Sequence, residues 1–197
     1  MVWIHDELRL VRSTDGRPLE VVGAWLDVSH HKRAELIRQA HQSVLNLIVA
    51  NQPLPVVLKD IAQRLETINS HMLVSILLLD RQTNRLRHGA APSLPDDYNK
   101  QVDQLKIGEG VGCCGTSAWR GEPIIVADID DHPYWQPFLE HTQRANIHAC
   151  WSVPFKDDKD SVLGTFALFL RRPPGSTPAD LVLINEFASL TALAVQK

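Results

Sequence analysis

The sequence predicts an α+β fold in which N- and C-terminal helices pack on one face of an antiparallel sheet of about five to six strands. Two kinds of segment lead to this prediction. The runs Met72–Asp80 and Val162–Leu170 have the length and the apolar, β-prone composition of buried strands. Amphipathic stretches, with apolar residues three and four positions apart, precede and follow them. Helices and strands grouped in this way are typical of α+β domains.

The composition is that of a globular protein. The 197 residues are 44% hydrophobic and 22% charged, and 20 Lys and Arg stand against 23 Asp and Glu. This excludes collagen-like and low-complexity chains, and the dispersed charge lacks the basic face that nucleic-acid binding needs. No apolar run approaches the roughly 20 residues that cross a bilayer, and the first residues have no signal-peptide core. We therefore expect a cytoplasmic protein that has no membrane span and binds no nucleic acid.

Residues 1–31 are predicted to be the C-terminal hairpin of a domain whose other strands lie outside this chain. Two apolar-bearing runs on either side of Asp15-Gly16 indicate antiparallel strands. A lone hairpin is marginal in water, which favours membership of a larger sheet. The run Gly16–Ser29, followed by a charged helix, resembles the last two strands of a PAS sensory domain and its exit into a linker.

Residues 32–52 are predicted to form a linker helix. Its heptad-like seam consists of Ile37, Ala40, Val44, Leu47 and Asn51. Either this seam pairs with a second copy or it is buried against the following domain, and fewer than four heptads do not decide between these readings. Pro53 and Pro55 interrupt the helix, and a second amphipathic helix then continues to about Ser70.

The remaining strands belong to a domain predicted over residues 53–197. Arg81–Asn84 indicates a turn from the first strand back into an antiparallel neighbour, Arg85–Ala91. The segment Pro92–Arg120 has few strand signals, and loops of this length inside compact domains are usually functional. Three more strands are predicted at Pro123–Asp128, His148–Phe155 and Val162–Leu170, with Asp157–Asp160 joining the last two.

A closing helix is predicted to begin at Thr177–Asp180, where a capping Thr, a Pro at the first helical position and an early carboxylate coincide. It carries two apolar stripes: Leu183, Phe187, Leu190 and Ala194 form one, and Leu181, Ile184, Ala188, Thr191 and Val195 form the other. Either one stripe covers the sheet while the other meets a second subunit, or both are buried within one monomer.

Five segments of this domain resemble the motifs of the GAF domain family. They are Gly108–Ala118, Gly121–Ile129, Pro133–Trp135, Ala149–Pro154 and Val162–Ala167. The likeness runs from about Leu54 to Val195, and it is to members that stand beside PAS domains in bacterial signalling proteins ending in GGDEF and EAL domains or in a histidine kinase. The resemblance implies a sensory module that binds a small molecule and has no reaction of its own. With the two flanking helices it predicts a homodimer that controls an output domain outside this chain, of cyclic-di-GMP turnover or histidine kinase type.

Eight residues are predicted to line the ligand pocket: Cys114, Thr116, Trp119, Asp128, Trp135, His148, Cys150 and Trp151. Glycines around the cysteine pair allow a sharp turn, and a short helix starting near Thr116 would favour ionisation of Cys114. If the GAF likeness holds, this turn and the strand of Cys150 border one cavity. The alternative is that both thiols are small buried hydrophobes.

A second hypothesis is a thiol-based redox sensor or an enzyme that uses Cys114 and Cys150. Val111–Gly115 and Ala149-Cys150 resemble segments of the free methionine-R-sulfoxide reductases, which are catalytic GAF proteins. That chemistry needs an attacking thiolate and a resolving thiol. Gln104 stands where that family has its resolving cysteine, and Trp151 stands where it has an acidic residue, so the match is incomplete. A third possibility is a structural dimerisation spacer whose cavity is filled by its own side chains.

No metal site is predicted. The cluster Asp128, Asp130, Asp131 and His132 lacks the spacing of a calcium loop and is interpreted as a solvated helix cap. The motifs of cyclic-nucleotide-binding and bilin-binding GAF domains are absent, and a haem would depend on His148 or Cys150. The sequence therefore leaves the ligand, any cofactor and the output domain unidentified.

Overall fold

A computed structural model describes residues 2–171 and 178–197. The chain forms two compact units, Met1–Gln39 and Ala40–Lys197. Thr177, the predicted cap of the closing helix, lies outside the described residues. Within the described ranges, no helix is both long and apolar enough to cross a membrane.

The first unit contains the predicted hairpin, β1 (Ile4–Arg12) and β2 (Pro18–Asp27), paired antiparallel. Its turn includes Gly16, whose φ of +83° suits glycine. In the register Leu8 lies opposite Gly23 and Leu10 opposite Val21, so these residues share one face. The apolar side chains on this face are exposed, and Trp25 is 81% accessible. Helix α1 (Ser29–Val49) follows and starts three residues earlier than predicted, with the Ser29 amide donating to Asp27 Oδ1 at 2.8 Å.

The second unit is built on a six-stranded antiparallel sheet in the order β5-β4-β3-β8-β7-β6. The strands are β3 (Met72–Asp80), β4 (Arg85–Ala90), β5 (Leu105–Lys106), β6 (Ile124–Val126), β7 (Ala149–Lys156) and β8 (Val162–Leu170). The helices are α2 (Leu54–Ile68), α3 (Asp96–Val102), α4 (Gly112–Arg120), α5 (Leu139–Arg144) and α6 (Pro178–Gln196), with a 3-10 helix at Pro133–Phe138. The predicted α+β class and strand number are confirmed. The long segment interpreted as a loop contains α3, β5 and α4.

The two faces of this sheet carry different layers. Because side chains alternate along a strand, Val74, Ile76, Phe166 and Leu168 share one face, which packs against α2 and α6. We call it the helix face. The other face is covered by α3, α4 and the 3-10 helix, and we call it the loop face. The strand residues that the loop face contributes to the core are Leu73, Leu77, Leu86, Cys150, Ala167 and Phe169.

The second half of α1 packs on the domain through one face. Ala40, Val44 and Ile48, spaced by four, are buried, whereas Leu47 is half-buried and Asn51 is exposed. Of the two readings of the predicted seam, the structure therefore favours burial of a single face against the following domain. The reason is that the helix meets α6 of its own chain.

Helices α1 and α6 run parallel. His41 stacks on Phe187 with ring centroids 4.6 Å apart, and the Lys197 ammonium donates to the Ile48 carbonyl at 2.5 Å. Contacts therefore follow the same order along both helices.

Both predicted stripes of α6 are used within one monomer. Leu183 and Phe187 from one stripe and Ile184, Ala188 and Thr191 from the other are all buried. The apolar residues that α6 leaves exposed belong to neither stripe: Val182 is 58% and Leu193 is 48% accessible.

Candidate functional site

The turn that opens α4 brings two cysteines onto the loop face. Gly110 and Gly112 have φ values of +77° and +55°, which suit glycine. A Cβ on Gly115 would lie 2.9 Å from that of Val111, so only glycine allows this close packing. The helix begins at Gly112 rather than near Thr116, and Cys113 and Cys114 therefore lie in its first turn. Peptide amides in a first helical turn favour a thiolate.

Three buried thiols form a cluster between this turn and β7. The Cys113 thiol donates to the carbonyl of Cys150 at 3.6 Å, and all three cysteines are free. A hydrogen bond from Cys150 lowers the pKa of Cys114, and the hydroxyls of Ser152 and Thr165 act in the same direction against the effect of burial. Burial raises the pKa of Cys150 well above its usual range. If either thiol ionises, it is Cys114.

The Ser152 and Thr165 hydroxyls are themselves unusual. Both oxygens are buried and have no hydrogen-bond partner of ordinary geometry among the described residues. Buried polar groups normally find a partner. A thiolate at Cys114 would accept from both hydroxyls, which is why they favour its ionised form.

A small cavity lies beside the cluster. The space open to the centre of a water-sized sphere is about 20 Å³, enough for roughly one water molecule. Its walls come from β3, α3, β5, the start of α4, the 3-10 helix and β8. They consist of Ser75, Leu77, Tyr98, Val102, Leu105, Gly112, Cys113, Cys114, Trp135, Phe138 and Phe169. Among the described residues, none of these wall residues is charged.

Comparison with known proteins identifies the family of this chain. The family described as GAF domain matches residues 51–196. The chain belongs to the GAF domain family. The methyl sulfide methyltransferase-associated sensor of Methanosarcina acetivorans is 30% identical over 192 residues, which make up 97% of this chain and 19% of that protein. The chain thus spans about a fifth of the length of this relative.

Solved structures agree on the GAF fold. The GAF domain of a phosphoenolpyruvate-protein phosphotransferase from Coxiella burnetii is 22% identical with a TM-score of 0.68, covering 83% of this chain and 92% of that one. The free methionine-R-sulfoxide reductase of Neisseria meningitidis, solved with its substrate, is 17% identical with a TM-score of 0.64, covering 83% and 88%. At these identities the likeness shows the fold.

Two of the predicted pocket residues, Cys114 and Trp135, line the cavity of the GAF domain. Cys150 is fully buried and lies against the cysteine turn without forming part of the cavity wall. Thr116 is also buried, and its hydroxyl donates to the Gly112 carbonyl at 2.7 Å, so it stabilises the first turn of α4. The predicted meeting of the glycine-cysteine turn and the Cys150 strand is therefore found.

The other four predicted residues lie elsewhere. Trp119 is 61% accessible on α4, because it falls on the side of the helix that faces away from the sheet. Asp128 is exposed and accepts from the Asp130 amide at 3.0 Å. His148 is half-buried and pairs with Asp130, Nδ1 to Oδ2, at 3.3 Å. None of these three lines the cavity among the described wall residues.

Trp151 corrects the expectation that its indole lies in one pocket with Cys114 and Cys150. It pairs with Leu168, whereas Cys150 pairs with Phe169. Because neighbouring side chains in a strand point to opposite faces, Trp151 lies on the helix face while Cys150 lies on the loop face. The large apolar residues Trp151, Val153 and Phe155 alternate in β7 with Cys150, Ser152 and Lys156, so the sequence pattern does assign Trp151 and Cys150 to opposite faces.

Sequence reasoning missed the wall residues contributed by α3, Tyr98 and Val102. Tyr98 is 2% accessible, and burial raises the pKa of its hydroxyl well above the usual range. Its ring meets Phe169 edge-on, with centroids 5.7 Å apart. The four-residue spacing of Tyr98 and Val102 is a helical signal that was available within the long segment.

Two exposed side chains, Glu109 and Arg120, and the half-buried Tyr134 tie the 3-10 helix to the cysteine turn. Tyr134 donates its hydroxyl to Glu109 Oε1 at 2.9 Å, and Arg120 Nε donates to Glu109 Oε2 at 2.8 Å. The Arg120 hydrogen bond, followed by that from Tyr134, lowers the pKa of Glu109. We call Glu109, Arg120 and Tyr134 the latch. It joins the outer side of the helix that carries Trp135 and Phe138 to the rim of the cavity.

Among the described residues, no group of three or more His, Cys, Asp or Glu side chains has the arrangement of a metal site.

Proposed function

We propose that this chain is the sensory part of a cytoplasmic signalling protein, and that a small molecule binds in the loop-face cavity of its GAF domain without being chemically changed. The cavity carries the proposal: four aromatic side chains line it, and one of them, Trp135, has a buried indole nitrogen without a hydrogen-bond partner among the described residues. Apolar cavities with a few convergent polar groups are the usual form of small-molecule sites. The name of the Methanosarcina relative, a sensor, supports the same role.

A ligand in the cavity would affect the helices through the strands that lie between them. Ser75 and Leu77 line the cavity, and the alternate residues Val74 and Ile76 of the same strand pack on the helix face. Close-packed cores pass on displacement instead of absorbing it. A ligand that pushes β3 or β8 would therefore favour one arrangement of α2 and α6 over another.

The proposal includes a homodimer formed by the flanking helices. In the second unit, α1 leaves Val49 74% accessible and α6 leaves Val182 and Leu193 exposed. Apolar side chains on two neighbouring parallel helices suit pairing with a second copy. The output would be cyclic-di-GMP turnover or a histidine kinase outside this chain.

Residues 1–31 fit the end of a PAS-like domain in this proposal, with residues 32–52 as linker helix and 53–197 as the GAF domain. The observation in support is the apolar face of the hairpin, where Leu8, Val21 and Trp25 are all exposed. Further strands of such a domain would extend the sheet at its edges, and another layer of the same domain would cover this face.

Sedimentation analysis and a metabolite screen test the two halves of the proposal. We expect a dimer at high micromolar concentration that Leu193→Glu weakens at least tenfold. Ile125→Glu, at an exposed apolar residue outside the helices, is the matched control and leaves the dimer intact. A monomer at that concentration contradicts the dimer. An empty thermal-shift screen of neutral metabolites favours the structural spacer over the sensor.

Redox sensing is a second candidate function, favoured by the meeting of Cys114 and Cys150. Hydrogen peroxide would oxidise the Cys114 thiolate to a sulfenic acid, releasing hydroxide that takes up a proton to become water. Attack by the Cys150 sulfur would then form a disulfide and release a second water. The two thiols lose two hydrogens and peroxide is reduced to two waters. Peptide mapping after mild peroxide treatment should detect the Cys114–Cys150 link, and Cys150→Ala should abolish it.

The same wall argues against sulfoxide reductase activity. Free methionine sulfoxide carries an ammonium and a carboxylate, and burying either without an opposite charge is costly. Among the described wall residues none offers such a charge. We expect no consumption of free methionine sulfoxide by the pure protein with a thiol reductant.

A further inference from the structure

We propose that the ligand is a neutral, mainly apolar small molecule bearing a hydrogen-bond acceptor such as a carbonyl oxygen. This rests on the proposed sensory function and narrows it to a ligand class. Three properties of the cavity lead to it: the charge of its wall, the unpartnered hydrogen-bonding groups around it, and the way in which it is closed.

The wall has no cationic group that would balance an anionic ligand. Its polar side chains among the described residues are the hydroxyls of Ser75 and Tyr98, two thiols and the indole of Trp135. A phosphate or carboxylate in such a site would lose its hydration without gaining a cation, and the loss far exceeds what neutral donors return. Nucleotides and free carboxylic acids are therefore poor ligands.

A cation is a weaker match than a neutral molecule, even though four aromatic rings surround the space. Tyr98, Trp135, Phe138 and Phe169 could attract a quaternary ammonium through their faces. Their rings, however, pack edge-on to one another: Trp135 meets Phe138 at 72° and Phe169 at 85°. The indole also requires an acceptor, which a cation does not provide.

The unpartnered indole nitrogen of Trp135 indicates that the ligand carries a hydrogen-bond acceptor. Trp135 is 3% accessible, and its Nε1 is buried without a hydrogen-bond partner among the described residues. An indole N–H can only donate, so a carbonyl, ether or sulfoxide oxygen would satisfy it. Tyr98 and Ser75 are also wall residues, and their hydroxyls are further donors that such a ligand could use.

The cavity enlarges by movement of one short segment. About one water fits at present, so a ligand with several carbon atoms must displace Trp135 and Phe138 outward. Both belong to the 3-10 helix, which the latch holds through Tyr134 and Glu109. Exposed hydrogen-bonded ion pairs contribute little stability, so the latch opens at small cost.

A set of four probes of similar size tests the ligand class: acetophenone, ethylbenzene, benzoate and phenyltrimethylammonium. Binding is measured on the full chain from chemical shifts of the cavity residues. We expect acetophenone to bind most tightly and ethylbenzene about 3–10-fold more weakly, since one hydrogen bond is lost. We expect no shifts from benzoate or the ammonium ion.

Matched tryptophan variants locate the acceptor contact. Trp135→Phe removes the N–H and keeps an aromatic ring, and it should abolish the preference for acetophenone over ethylbenzene. Trp119→Phe changes an exposed indole outside the cavity and should leave the preference intact. If Trp135→Phe does not fold, Ser75→Ala provides a smaller reduction of the same preference.

The outcomes separate this inference from the sensory function. Tighter binding of benzoate or of the ammonium ion overturns the neutral class while the sensory role stands. Equal binding of acetophenone and ethylbenzene overturns the acceptor contact. Absence of shifts from all four probes overturns the inference, and it contradicts the sensory function as well only if the metabolite screen is also empty.

Discussion

The helix face and the loop face of the sheet are formed by alternate residues of the same strands, but the two faces are packed differently. Phe166 and Ile76 on the helix face are fully buried against helices. Leu77, one residue after Ile76, and Phe169, three residues after Phe166, border a cavity and a thiol cluster. The helix face is a solid core, whereas the loop face combines empty space with unpartnered polar groups. Such departures from close packing and polar satisfaction are typical of functional sites.

The largest expected effect compares two phenylalanines on β8. Phe166→Ala should lower the free energy of unfolding by about 4 kcal/mol, because the helices around it cannot collapse into the space. Phe169→Ala should cost about 2–3 kcal/mol, since the loop-face segments can move inward. Urea unfolding monitored by circular dichroism measures both. Equal losses would mean that the two faces are equally rigid.

A smaller effect compares two buried threonines. Thr191 on α6 donates to the Phe187 carbonyl at 2.8 Å, whereas the Thr165 hydroxyl has no partner of ordinary geometry among the described residues. Thr191→Val should therefore cost about 1 kcal/mol, and Thr165→Val should be neutral or stabilise the protein by up to about 1 kcal/mol. The same urea experiment checks the pair. A large loss at Thr165 would show that its hydroxyl is satisfied after all.

Sequence reasoning found the strands of both faces but not their parity. It identified the bounds of β3 and β8 because their composition is strongly β-prone. It also brought the cysteine turn to the strand of Cys150. It placed Trp151 in the cavity beside Cys150, although adjacent residues of one strand point to opposite faces. Trp119 was misplaced for a different reason: the outward side of a nine-residue helix depends on packing and not on local sequence.

A third experiment asks whether the latch limits access to the loop face. Tyr134→Phe removes the hydrogen bond to Glu109, and we expect iodoacetamide to modify Cys114 about 3–10-fold faster in the folded protein. The loss of one hydrogen bond corresponds to that range. Arg144→Ala breaks the exposed Arg144–Glu140 pair, 2.5 Å long and outside the latch, and serves as the control. Equal rates for the two variants and the unmodified chain would contradict the latch.

The smallest effect is a difference in acid sensitivity between the faces. Because Arg120 and Tyr134 lower the pKa of Glu109 below its ordinary 4.5, the latch stabilises the folded protein above that pH. This contribution is lost as the pH falls through the lowered value. Hydrogen-exchange protection of residues 133–138 should therefore decrease on acidification before that of α2. Glu109→Gln should remove this difference, and simultaneous loss in both segments would contradict it.

The parallel arrangement of α1 and α6 determines how this domain would work in series with others. Their shared direction, fixed by the His41–Phe187 and Lys197–Ile48 contacts, brings the polypeptide in at one end of the helix pair and takes it out at the other. A segment extending α6 would keep the direction of α1 but lie beside its axis. Sliding α6 by one residue would displace such a segment by about 1.5 Å, and it would break the hydrogen bond from Lys197 to the Ile48 carbonyl.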